Sequence, residues 1–349
     1  MSDIYVLDES FDTIALLDKF TSFIWTERYI EPSDFELSIQ PSMHNIDVLR
    51  RGRYLRRIES KTLMRIEHIE LTTNDETGDE FLVSGRSVAS LPSKRIIWSP
   101  VNVKGTAQDV VKMLLVNSLI NPSDPKRKID NIVFADNSDT RLASKTVTKD
   151  FQNRENVYEA ILDICREVNV GFQSEWMPDT KQIKLYLWLG TDLSFDQTAR
   201  SYVVFGEKFD NLTETHFVND GKVYANHALV LGEGEEADRL KIEIGGDKTG
   251  YGRDEIMIDA SSVKKDTADY NQVVTTMATE ELRKASNPYT YECKLSQNNM
   301  FQYGKHFHIG DIVQVSNTYG LNFKALVTEF IRSENESGIE EYPAFEYIE

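Results

Sequence analysis

The sequence predicts an α+β protein, mainly β, built from two related β-barrel-like domains with α/β insertions. Two observations carry this. Gly52-Arg-Tyr-Leu-Arg-Arg-Ile58 leads into Thr62-Leu-Met-Arg-Ile-Glu-His-Ile-Glu-Leu71, then the acidic turn Asn74-Asp-Glu-Thr-Gly78 and a return through Glu80-Phe-Leu-Val83 to Gly85. Mostly alternating apolar and polar residues around an Asn/Asp/Gly-bearing turn mark a half-buried hairpin. The same plan recurs near the C-terminus. Gly310-Asp-Ile-Val-Gln-Val315 leads into Phe323-Lys-Ala-Leu-Val-Thr-Glu-Phe-Ile331, and the acidic turn Glu334-Asn-Glu-Ser-Gly338 hands over to Glu340-Glu-Tyr342. The spans from Gly52 to Gly78 and from Gly310 to Gly338 are 26 and 28 residues.

In chain order, Ile4-Tyr5-Val6-Leu7 and Ala15-Leu16-Leu17 open as strands. Thr21 to Tyr29 alternates with Phe23, Trp25 and Tyr29 as bulky anchors. Glu31-Pro32-Ser33-Asp34 is a turn, since proline fixes φ and Asp bonds its own backbone. Phe35, Leu37 and Ile39 share one face of the next strand. The hairpin completes a first β-domain, residues 1–95. Thr106 is an N-cap for a helix whose apolar face is Ala107, Val110, Val111, Leu114, Leu115 and Leu119. Asn121-Pro-Ser-Asp-Pro125 ends it, and a polar loop run follows to about Asp150. A second helix spans roughly Glu155 to Val168, and a hairpin over Pro178-Asp179 pairs Phe172–Trp176 with Gln182–Trp188. These make an α/β insertion, residues 96–195.

Strand patterns return at Tyr202–Val204, Lys222–Tyr224 and Ala228–Leu231. The runs Gly232–Asp238 and Gly245–Gly252 read as solvated loops. A third helix from about Ala268 to Ala285 is stopped by Asn287-Pro288. The remainder, 196–349, is a second β-domain with a helical insertion at about 245–290.

At 349 residues the chain has room for two to four compact units. Met1-Ser2-Asp3 shows no secretory pattern, and no apolar run reaches the roughly 18 residues that span a bilayer. Cys165 and Cys293 read as two free buried thiols. The net charge of −18 argues against reading bases in DNA, because the field that attracts phosphates is absent. An acidic surface serves solubility, and it also suits a conduit that nucleic acid traverses without sticking.

No chemical site emerges: catalytic, cofactor and metal residues are all read as none. Gly245, Gly246, Gly250 and Gly252 lack the Gly-Lys-Ser/Thr of a phosphate loop. His306 and His308 would share a strand face but have no third ligand nearby. Asp136 to Asp139 misses calcium-loop spacing. There is no nucleophile elbow, and the 57 acidic residues show no carboxylate pair flanked by stacking aromatics. Trp98, Trp176 and Trp188 are the residues with which a carbohydrate-binding or glycan-hydrolysing protein would stack sugars. For Trp176 and Trp188, sitting in a hairpin, core packing is the commoner use.

The N-terminal third resembles the tail-hub family of long-tailed phages, also called tail-associated or baseplate-hub proteins. The match rests on the opening strands through Trp25, Arg28-Tyr29 and Phe35-Glu36-Leu37, on the hairpin Leu63–Val83 reaching Gly85-Arg86-Ser87, and on Leu91 and Arg95-Ile96-Ile97. It extends more loosely over the α/β insertion and the strand at Gly310-Asp311-Ile-Val. The resemblance implies a non-enzymatic homotrimer at the virion tail tip, assembled in the host cytoplasm. A hexameric distal-tail or tail-tube protein would lie above it, and a fibre, spike or receptor-binding protein below. A tape-measure protein is a further implied partner. It would close the tube and adapt six-fold symmetry to three-fold. Two similar domains in a trimer would give six similar places around one axis.

Overall fold

A computed structural model describes residues 3–348 except 77, 152–153, 223, 235–238, 262, 264, 266–269, 287–288 and 297–298. The first seven strands are β1 (Ile4–Leu7), β2 (Thr13–Leu17), β3 (Ser22–Arg28), β4 (Asp34–Ile39), β5 (Tyr54–Arg57), β6 (Leu63–Thr72) and β7 (Glu80–Ser87). A short helix α1 (Met43–Val48) follows β4, capped by the Ser42 side chain. Alternation does what the sequence predicts here. Phe23, Trp25, Phe35, Leu37, Ile39, Met64, Ile66, Phe81 and Val83 all point into one core.

The middle of the chain adds β8 (Val101–Thr106), α2 (Ala107–Leu115), β9 (Ile132–Phe134), β10 (Thr146–Phe151), α3 (Val157–Val168), β11 (Gly171–Met177) and β12 (Gln182–Trp188). Thr106 caps α2 and Asn156 caps α3, each side chain accepting from first-turn N–H groups. The run expected to be loop up to Asp150 instead holds β9 and β10: β10 pairs with β8, and β9 runs parallel to β12. Both are edge strands of small sheets, too short to show an alternation. The apolar faces of α2 and α3 close over β11 and β12, and Leu63, Val88 and Leu91 of the preceding segment join that core.

The last part holds β13 (Val204–Phe205), β14 (Leu212–Asn219), β15 (His227–Leu231), β16 (Lys241–Gly245), β17 (Glu255–Asp259), α4 (Tyr270–Ala285), β18 (Tyr289–Leu295), β19 (Ile312–Ser316), β20 (Asn322–Asn335) and β21 (Gly338–Ile348). Lys222 and Tyr224, expected in a strand, lie outside one; the strand is β14, just before them. Asn287-Pro288 and Glu235–Asp238 fall outside the described residues, as does the expected helix start at Ala268. Strands β15 to β17 form a separate sheet covered by α4, with Ala228, Val230, Ile258, Val274 and Ala278 between them.

Apart from three small sheets, β8 with β10, β9 with β11 and β12, and β15 to β17, the strands join one 13-stranded sheet, whose path runs β14-β18-β21-β20-β3-β4-β7-β6-β5-β1-β2, with β13 and β19 off it beside β20. The protein is thus α+β and mainly β. Among the described residues this path is open, with β14 and β2 as its ends, and it is not a closed barrel.

Within the path one strand order occurs twice. In the N-terminal part β5-β6-β7-β4-β3 are antiparallel neighbours; in the C-terminal part β19-β20-β21-β18-β14 are. The agreement extends to single hydrogen bonds. Gly52 N–H donates to Ile66 O at 2.9 Å and Ile66 N–H to Arg53 O at 2.8 Å; Gly310 N–H donates to Val327 O at 2.7 Å and Val327 N–H to Asp311 O at 2.9 Å. Just after these residues both long strands carry a bulge, between Ile66 and His68 and between Val327 and Glu329. A bulge admits one extra residue and bends the strand, so its repetition marks a repeated shape.

Gly52 and Gly310 both have positive φ, +102° and +87°. At Gly52 a Cβ would meet nothing nearer than Arg65 Nη2 at 3.7 Å, whereas at Gly310 it would lie 2.4 Å from the Tyr29 ring. Gly52→Ala therefore costs the backbone strain alone, about 1–2 kcal/mol. Gly310→Ala adds overpacking of about 1–3 kcal/mol. Denaturant unfolding of the two variants checks the difference; equal losses would show that the ring yields freely.

Candidate functional site

Where the sheet's two parts meet, β3 pairs with β20, and the chain's polar and aromatic groups gather on either side of that seam. Arg28, at the end of β3, donates from Nε to Glu329 at 3.0 Å and from Nη1 to Asp34 at 2.6 Å and Pro32 O at 2.7 Å. These carboxylates outweigh burial and hold the guanidinium above its ordinary value.

Tyr29 is the next residue and is 2% exposed. Its N–H donates to Thr328 O at 2.9 Å, tying it to β20. Its hydroxyl lies 3.2 Å from both Asn169 O and Trp188 O, acceptors at the end of α3 and the end of β12. Asn169 ends α3 in the left-handed conformation, which turns its carbonyl toward the ring. Gly171 and Gly310 press on the ring so closely that a Cβ on either would fall 2.6 or 2.4 Å from it. Gln173 donates to Arg28 O and Tyr29 O at 2.9 and 3.0 Å. One side chain thus touches the N-terminal sheet, the α/β insertion and the C-terminal sheet.

Asp311 serves the same junction and is 3% exposed. Its carboxylate accepts from Thr191 N–H at 2.6 Å and His308 N–H at 2.8 Å. Trp188 Nε1 donates to Ile309 O at 3.1 Å. The sequence reading took Tyr29 as a core anchor and Gly310-Asp311 as a strand opening. The glycines that admit the Tyr29 ring, Gly171 and Gly310, are far from it in sequence.

Beside the junction lies a cleft of about 660 Å³. Glu27 anchors its floor: Oε1 accepts from Trp25 Nε1 at 3.2 Å and Ser60 Oγ at 2.7 Å, and Oε2 accepts from Tyr303 OH at 2.8 Å. The Tyr303 ring stacks on Phe330 at 3.9 Å. Arg57 lies 5.6 Å over Trp25, and burial, followed by the charge of Arg332, pushes its guanidinium below the ordinary value. Both Glu27 oxygens accept hydrogen bonds, so this carboxylate ties β3 to the loops that carry Ser60 and Tyr303.

The residues weighed earlier for chemistry do not converge. His306 accepts from Gln302 N–H through Nδ1, and His308 stands 3.7 Å from Asp311. They sit in a tight loop and not on a shared strand face, and no group of three metal-binding side chains occurs among the described residues. Trp98 lies under Arg127 at 4.0 Å, Trp176 packs on Phe11 at 4.7 Å, and Trp188 belongs to the junction. They line no common face. Cys165 and Cys293 are free and buried, and burial raises both thiols.

Comparison with known proteins gives the family and the fold. The family model for the siphovirus ReqiPepy6 Gp37-like protein matches residues 3–343. The chain belongs to that family. Among curated proteins none matches. Solved structures place this Gp37-like chain in a phage tail-protein fold. The tail protein from Neisseria meningitidis MC58 matches with a TM-score of 0.63 at 15% identity, over 99% of this chain and 96% of that one. The 43 kDa tail protein of prophage MuSo2 from Shewanella oneidensis gives 0.65 at 12%, over 98% of each. Prophage tail protein gp18 from Listeria monocytogenes gives 0.58 at 12%, over 98% and 94%. No helix among the described residues is long and apolar enough to cross a membrane.

Burial raises the hydroxyls of Tyr29, Tyr158, Tyr291 and Tyr303, and pushes Tyr186 up to about 12. A raised folded value favours the folded state fully below the unfolded value of about 10, and that stability is lost as pH rises through the folded value. Stability should therefore fall above pH ~10, by up to about 1.4 kcal/mol per pH unit for each such tyrosine. Tyr29→Phe should cost about 1–2 kcal/mol at neutral pH, for the lost hydrogen bonds, and flatten that alkaline slope. Unfolding curves at neutral and alkaline pH measure both; an unchanged slope would remove Tyr29 from the junction's energetics.

Proposed function

We propose that this Gp37-like chain is a structural, non-enzymatic hub at the tip of a phage tail or tail-like particle. In this reading it assembles as a homotrimer, closes the tail tube and adapts a six-fold tube to a three-fold tip. A hexameric distal-tail or tail-tube protein docks above, and a fibre, spike or receptor-binding protein below. The observation that carries it is the repeated strand order with its repeated glycine and bulge. A chain with two like halves, taken three times, presents six like surfaces, and one heterologous contact closes such a ring by rotation.

The proposed division is a barrel-like unit at 1–95, an α/β insertion at 96–195 and a second barrel-like unit at 196–349. In the ring the two sheet halves alternate, while the insertion and the layer of α4 lie outside and mark the true three-fold. The net charge of −18 then suits a lumen wall that repels DNA phosphates. The hydrogen-bonded state of Glu27 and the scattering of the three tryptophans support scaffolding over sugar chemistry.

Light scattering of the purified chain should give three times the chain mass of 40.0 kDa. Incubation with peptidoglycan and wall polysaccharide should give no turnover. Hydrolysis abolished by mutating one carboxylate pair would overturn the structural reading.

A further inference from the structure

The seam between β3 and β20 tells what a second seam would look like. Equivalent residues follow from the ladders. Gly85 faces Ile66 as Phe345 faces Val327; Phe35 faces Gly85 as Tyr291 faces Phe345; Trp25 faces Phe35 as Phe217 faces Tyr291. Strand β14 is therefore the counterpart of β3, and β6 is the counterpart of β20. In β20 the first residues pair with β19, and Glu329–Asn335, beyond the bulge, pair with β3. In β6 the first residues pair with β5, as Leu63, Met64 and Arg65, but residues 68–72 beyond the bulge have β7 on one side and, among the described residues, no strand on the other. Among the described residues no strand pairs with β14 on the side away from β18 either.

Exposure separates the filled seam from its empty counterpart. Trp25 and Phe330 are 1% and 5% exposed, while residues 68–72 are all exposed, with Ile69 at 42% and Leu71 at 50%. An unpaired edge that also exposes Ile69 and Leu71 invites a strand.

We propose that residues 68–72 of β6 pair antiparallel with β14 of a second copy, repeating between chains the join that β3 and β20 make within one. The internal seam sets the register. Arg332 faces Trp25, Phe330 faces Glu27 and Glu329 faces Arg28. Carried across, Leu71 faces Phe217, Ile69 faces Asn219 and His68 faces Asp220. Where the internal seam has the Arg28–Glu329 ion pair, the counterpart has His68 beside Asp220. Because β6 and β14 lie on different surfaces, the contact is heterologous and propagates head to tail. This deepens the hub reading, on which it rests for the existence of a ring; the partner surface itself comes from the chain's own seam.

Two variants, Leu71→Cys and Phe217→Cys, are prepared separately, mixed, allowed to exchange and oxidised. The native thiols are buried, so each variant alone is the control. A covalent pair of chains forming only in the mixture supports the contact. Ile69→Lys with Leu71→Lys, both at exposed positions, should lower the scattering mass from three chains to one with the thermal midpoint unchanged. If the unmodified chain is trimeric but neither this pair nor those two residues to either side cross-link, and the lysine variant stays trimeric, the edge contact is overturned and the hub reading stands. If the unmodified chain stays at one chain mass at its highest soluble concentration, both are overturned.

Discussion

The structure hangs on the packing of one aromatic ring among glycines. Tyr29 is the first residue after β3, where the chain leaves the seam, and its ring fills the space left open by Gly171 and Gly310. Removing Cβ from two partners lets their backbones approach one ring, and its hydroxyl then comes within hydrogen-bond distance of the Asn169 and Trp188 carbonyls. Arg28 beside it fixes the strand end to both Asp34 and Glu329. The seam β3–β20 could in principle slide, since a sheet register is set by side-chain faces. The ion pair and the wedged ring remove that freedom. They make the two sheet halves and the α/β insertion parts of one body.

Much of this was legible in sequence, for reasons that differ by element. Leu63–Thr72 and Glu80–Ser87 announced themselves because one face is core and the other is not, which writes alternation into the chain. Helices α2 and α3 were visible through apolar spacing, and α2 also through Thr106 as a cap; the Asn156 cap of α3 is seen only in the structure. Ile132–Phe134 and Thr146–Phe151 were not, because short edge strands need little apolar patterning. Leu212–Asn219 escaped for a related reason: it is a sheet end, largely exposed, with polar residues at most positions. The junction was half legible. Arg28-Tyr29 and Gly310-Asp311 stood out as motifs, but nothing local says that residues some 280 positions apart share a ring contact.

Duplication explains why the seam cleft and the free edges have such different chemistry. Equivalent strands in the two halves kept their hydrogen-bond pattern, bulge and glycine, which the backbone demands, and diverged wherever a side chain meets a different neighbour. Trp25 has become Phe217, Phe330 corresponds to Ile69, and Arg332 to Leu71. On the filled seam those positions carry Glu27, Arg57 and Arg332 around a polar cleft, fixed in place by Tyr303. On the empty one Arg332 and Phe330 give way to Leu71 and Ile69, and Glu27 to Asn219. Glu27 finds its partners within the one chain, while Arg57 Nε is buried without a hydrogen-bond partner.

Between chains the same logic runs the other way. Apolar residues on a free edge cost little while a partner is found, and need no exact pairing of charges during encounter. A protein that folds alone and assembles afterwards therefore does best with its polar tie inside and its apolar edge outside. The open sheet path, ending at β14, and the bare stretch of β6 follow from that division. The polar pair the register would place there, His68 with Asp220, lies at the margin of the contact, where polar groups set alignment more than affinity.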